Sequence, residues 1–90
     1  MFHKVKSVTP QNNYLLLVSF VEGVSKIYDI KPLFNKWPVF NELKEGHLFY
    51  DVKVDQGGYG ISWNKNIDLS CDELFFEGKL SDILPPLNHQ

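Results

Sequence analysis

The sequence predicts an α+β domain: an antiparallel sheet of about five strands in the order β-β-β-α-β-β-α, with two short helices on one face. Three observations carry this expectation. Tyr14 to Val21 is an eight-residue run, apolar everywhere except Ser19, which suits a strand covered on both faces. Val52 and Val54, then Tyr59, Ile61 and Trp63, alternate with polar or small residues on either side of Gly57-Gly58, the pattern of a half-buried hairpin. Ser70-Cys71-Asp72-Glu73 is a capping box that starts a helix. With 90 residues there is room for one domain, expected over 1–79. Residues 80–90 are expected as a partly disordered C-terminal extension.

The elements follow in order. His3 to Thr9 reads as a short strand with lysines at alternate positions, and Pro10-Gln11-Asn12-Asn13 as a turn. Tyr14 to Val21 is the second strand, Glu22-Gly23 the reversal, and Val24 to Ile30 the returning third strand. Lys31-Pro32 ends it, since proline removes a ladder donor. From Trp37 the period changes: Pro38 suits a first helical position, Val39, Phe40 and Leu43 share one helical face, and Gly46 stops the helix. Leu48 to Tyr50 lead back into the sheet. Asp68, just before the capping box, is expected to hold a turn through backbone amides. In the last helix the Ser70 hydroxyl should accept from the Glu73 amide while the Glu73 carboxylate reaches back to the Ser70 amide. Gly78 ends that helix, and Leu80 to Leu84 have the composition of another short turn.

Length and charge exclude whole function classes. Ninety residues cannot build a doubly wound nucleotide-binding fold or an (α/β)8 barrel. Nine basic residues, all lysine and scattered from Lys4 to Lys79, face eleven carboxylates for a net charge of −2. Without arginine and without a basic footprint, direct nucleic-acid binding is not expected. The single Cys71 cannot form an internal disulfide, which points to a reducing, cytoplasmic setting. The run at Tyr14 to Val21 is too short to cross a membrane, and no membrane association is expected. Lys4 and Lys6 are separated from it by Gln11-Asn12-Asn13, unlike a signal peptide.

No set of residues with the spacing of a catalytic or metal site emerges, and no cofactor is expected. His3, His47 and His89 are too far apart for a local metal pair. Cys71 opens the last helix with neither a histidine base nor a resolving cysteine beside it, and reads as a small buried hydrophobe. Asp51 and Asp55 lie four residues apart, about 13 Å along an extended strand, too far to share an ion. Gly57-Gly58-Tyr59-Gly60 precedes a strand, so the helix amides of a phosphate cradle are missing. Trp37, Tyr59 and Trp63 are candidates for an aromatic pocket around a small ligand, although their burial value also suits a core.

If the helices cover Tyr14, Leu16, Val18 and Phe20, the other side of the second strand carries Leu15, Leu17 and Val21. Those three form a candidate interaction face that another protein chain would cover, a second copy or the product of a neighbouring gene.

The landmarks, in order, resemble the small bacterial family known as domain of unknown function 2442. They run Val5-Lys6-Ser7-Val8-Thr9-Pro10, Tyr14-Leu15-Leu16-Leu17-Val18-Ser19-Phe20, Glu22-Gly23, Tyr28-Asp29-Ile30 and Pro32-Leu33. After them come Val39-Phe40, Leu43, Leu48-Phe49, Val52-Lys53-Val54-Asp55, Ile61-Ser62-Trp63, Ile67-Asp68-Leu69-Ser70 and Asp72-Glu73-Leu74. The resemblance implies an α+β fold and no established catalytic residues. It also implies an arrangement in which some members are fused to a helix-turn-helix domain and many are encoded beside another small protein, as toxin–antitoxin pairs are. Lys65-Asn66 and the Leu/Pro-rich stretch from Leu80 depart from the pattern. Together the residues and the resemblance lead to the expectation of a non-enzymatic protein-interaction module, with a small-molecule-binding domain as the alternative.

Overall fold

A computed structural model describes residues 2–81. The fold is α+β with antiparallel sheets, as expected, but among the described residues seven strands divide between two sheets instead of about five sharing one. The first sheet has the order β1-β2-β3-β7, with β1 at Val5–Gln11, β2 at Leu15–Phe20, β3 at Ser25–Asp29 and β7 at Lys79–Leu80. The second has the order β4-β5-β6, with β4 at Lys53–Val54, β5 at Gly60–Asn64 and β6 at Ile67–Ser70.

Pro10 and Gln11 belong to β1, not to the turn. Proline is tolerated there because β1 is the edge of its sheet, where a missing N–H costs no ladder bond. The reversal is tighter, at Asn12–Tyr14, with Asn13 and Tyr14 at φ of 63° and 59°. In β2, Leu16, Val18 and Phe20 point into the core that both sheets enclose. Leu17, on the other face, is also buried, at 1% exposure, although it lies outside that core cluster. It is held between Thr9 of β1 and Ile27 of β3, because β2 has a neighbour along each side.

Between β3 and β4 the chain is made of short turns. A four-residue helix, α1, spans Leu33–Lys36, and a 3-10 helix follows at Pro38–Lys44. The expected α-helical face of Val39, Phe40 and Leu43 is therefore split. In a 3-10 helix residues three apart eclipse, so Phe40 and Leu43 are buried together while Val39 turns outward. Leu48–Asp51 form another 3-10 turn that buries Phe49, which shortens β4 to two residues and removes Asp51 from any strand.

Ile67 to Ser70 pair with β5 as a strand, so Asp68 faces out opposite Ser62 and holds no turn. That reversal is held instead by Asn64, whose Oδ1 accepts from the amides of Asn66 and Ile67 at 2.9 and 3.0 Å. The last helix, α2, spans Cys71–Glu77. Ser70 Oγ accepts from the Glu73 amide at 3.1 Å as expected, but the Glu73 carboxylate accepts the Tyr28 hydroxyl at 2.8 Å instead of closing the box. At the other end the Lys26 ammonium donates to the carbonyl of Phe75, meeting the negative end of the helix. Replacing the cap, Ser70→Ala, should lower stability by about 1 kcal/mol in urea titration; no change would mean that the cap bond is not formed in solution. Leu80 lies in β7 and not in a turn. The remainder of the expected extension, 82–90, lies outside the described residues. No described helix is long and apolar enough to cross a membrane.

Candidate functional site

Four of the exposed large apolar side chains lie around the start of β1 and the end of β2. Phe2, Val21, Tyr59 and Phe76 are 60%, 65%, 48% and 65% exposed. Backbone pairing brings Phe2 and Val21 together: the Val21 amide donates to the Lys4 carbonyl at 2.9 Å, which sets the chain before β1 beside the β2–β3 turn. Phe2 then meets Tyr59 edge-on at 5.3 Å between ring centroids, and Lys4 Nζ lies 5.1 Å from the Tyr59 centroid. Phe2, Lys4, Val21 and Glu22 line a shallow cleft of about 210 Å³.

His3 joins this end to α2. Its ring stacks on Phe75 at 3.5 Å and meets Phe76 edge-on at 5.5 Å, while Nδ1 lies 3.0 Å from a Glu22 carboxylate oxygen. The result is a ridge of exposed aromatic and aliphatic groups with one histidine–carboxylate contact across it. Isolated exposed apolar residues are common on protein surfaces, whereas adjoining ones concentrate at contact sites.

The candidate residues fall at separate places. Of the expected face, Val21 belongs to this ridge, Leu17 is buried, and Leu15 is half-buried along a different cleft of about 430 Å³ with Ile27, Pro32, Lys36 and Lys79. At 1% exposure Leu17 needs no external cover. Trp37, Tyr59 and Trp63 are not gathered around one pocket. Trp63 is buried with its indole Nε1 donating to the Phe49 carbonyl at 2.9 Å. Phe40 lies between the two indoles, 6.3 Å from each, and Tyr59 belongs to the ridge. The ridge residues Phe2 and Phe76 carried no sequence signal of their own. Phe76 is detectable only as the residue beside Leu74 and Phe75 that a seven-residue helix cannot bury.

Cys71 is buried, its amide donating to the Tyr59 carbonyl at 2.9 Å. Burial pushes its thiol above the usual cysteine range, and the adjacent Asp72 carboxylate adds to the shift. Alkylation by iodoacetamide at pH 8 should therefore run on the order of 100-fold slower in the folded protein than in guanidinium. Equal rates would show that the thiol is open to solvent. Asp55 accepts the Ser62 hydroxyl at 2.6 Å. Among the described residues, no three His, Cys, Asp or Glu side chains come together as they would to hold a metal ion.

These features define a class: a small α+β domain of two antiparallel sheets around one core, with an exposed aromatic ridge. The chain belongs to the protein family of unknown function DUF2442, whose model matches residues 5–79. The match runs from the first residue of β1 to the first of β7. No curated protein and no solved structure matches the chain.

Proposed function

We propose that this domain is non-enzymatic and acts by contact with another protein chain, through the ridge formed by Phe2, Val21, Tyr59 and Phe76. The observation that carries the reading is the exposed apolar group at one end of the molecule, with Phe2 against Tyr59 and beside Val21, and Phe76 joined to them through His3. An aromatic-rich patch with a few charges beside it, here Lys4 and the His3–Glu22 pair, has the composition of a protein interface. The absence of arginine and the net charge of −2 favour a protein surface over a nucleic acid as the object of contact.

The test is co-expression with the product of the adjacent gene, alongside sedimentation of the domain alone across a wide concentration range. A complex or a dimer that Val21→Asp or Phe76→Asp weakens at least tenfold, with thermal stability unchanged, supports the reading. A domain that stays monomeric and does not co-purify, or a complex indifferent to both substitutions, overturns it.

A further inference from the structure

We propose that a second, separate cleft beside Trp37 receives an arginine side chain of a partner protein. The cleft is about 380 Å³ and lies between the start of the 3-10 helix and the junction of β6 with α2. Trp37, Phe40 and Leu69 make its apolar walls, and two acidic residues line it, Asp68 and Glu73, the latter shared with the neighbouring cleft. No lysine lines it.

Three kinds of occupant can be compared on those groups. An anion is repelled by both carboxylates. A neutral apolar group would strip water from them and return no hydrogen bond, which is costly. A cation with a flat apolar face satisfies both halves of the cleft. The indole already attracts a cation: Lys36 Nζ lies 4.5 Å from the Trp37 centroid. Lys36 lines the neighbouring cleft and not this one. Glu73 is steadied by the Tyr28 hydroxyl on Oε2, and the Asp68 side chain is exposed. A guanidinium stacks on an indole and presents five donors in a planar fork, so it can serve two carboxylates at once where an ammonium offers a point charge.

The cleft is open to solvent along one side, with Trp37 45% exposed, so it cannot enclose a free ligand the way a small-molecule pocket does. It suits an anchor held in place by a larger body. This chain contains no arginine, so the anchor comes from a different protein and not from a second copy. The occupant's being a protein rests on the contact function proposed above. The experiment uses a free probe and leaves the Val21 ridge intact, so either proposal can fail while the other stands.

The full chain is titrated with N-acetyl-arginine methylamide and, in parallel, with the neutral citrulline and the lysine counterparts, reading tryptophan emission and backbone amide shifts. The arginine probe should bind with Kd on the order of 1–10 mM, as a single anchor residue does. Asp68→Asn and Glu73→Gln should each weaken it about tenfold. Trp37→Phe should remove the emission change, because Trp63 is buried elsewhere. Asp68 lies on the surface of β6, so its substitution leaves the fold intact. Equal binding of the citrulline or lysine probe, arginine affinity unchanged in Asp68→Asn, or no response to arginine at tens of millimolar overturns the proposal.

Discussion

Phe20→Ala should cost about 3–5 kcal/mol, since Phe20 is the bulkiest of the fully buried side chains among the described residues. Phe20 is 0% exposed at the end of β2, where its ring meets Phe75 of α2 edge-on at 5.1 Å and belongs to the cluster that both sheets share. Its backbone also holds the reversal into β3, accepting from the Gly23 amide and donating to the Val24 carbonyl at 2.9 and 2.8 Å. Those bonds survive the substitution, so the strands keep their register and the space left by the ring cannot easily close. For a domain of this size, whose whole stability is roughly 5–13 kcal/mol, the change lowers Tm by roughly 15–30 °C. The control is Phe76→Ala, one residue beyond Phe75 and largely exposed, which should stay within about 0.5 kcal/mol of the parent. A Phe20→Ala loss below about 1.5 kcal/mol would mean that α2 does not pack against β2 as described.

Gly58→Ala is expected to cost about 2–5 kcal/mol for a different reason. Gly58 has φ of +81°, a conformation that L side chains resist. A Cβ there would also lie 2.7 Å from the Val5 carbonyl oxygen and 3.3 Å from its nitrogen, both backbone atoms of β1. Neither can swing aside as a flexible side chain would, so the hairpin and β1 must move apart. Gly23 separates the two causes: its φ is +97° with nothing within 4 Å of a Cβ, so Gly23→Ala should cost only about 1 kcal/mol. Because the chain just before Val5 carries Phe2 and Lys4 onto Tyr59, Gly58→Ala should also weaken contact through the ridge. Urea titrations of the two variants give the comparison, and similar losses in both would show that Gly58 is not pressed against β1.

The legible parts of the fold were those with a strong local pattern. The apolar run of β2, the alternation about Gly57-Gly58 and the Ser70 cap each announce an element through a pattern contained in a few neighbouring residues. What failed to show was short or set by distant partners. β6 has only four residues and only Ile67 and Leu69 to mark it, and β7 has two residues that are strand solely because Lys26 and Ile27 lie opposite them. The 3-10 geometry of Pro38–Lys44 turns on how Phe40 and Leu43 dock against Trp63 and the core, which no window of sequence contains.

The candidate sites divide in the same way. Val21 was visible as an apolar residue beyond its strand, and Trp37 as an indole beside a helix start. That Phe2, Tyr59 and Phe76 gather near Val21, and that Asp68 and Glu73 line one cleft with Trp37, depends on residues far apart in the chain. The chain alone determined the α+β class, the strand and cap residues, and the lack of a basic footprint, because composition and short-range periodicity act without tertiary help. Only the folded structure decided which apolar groups were left over. Exposure is the remainder after every segment has competed for a finite core, and that competition is settled globally.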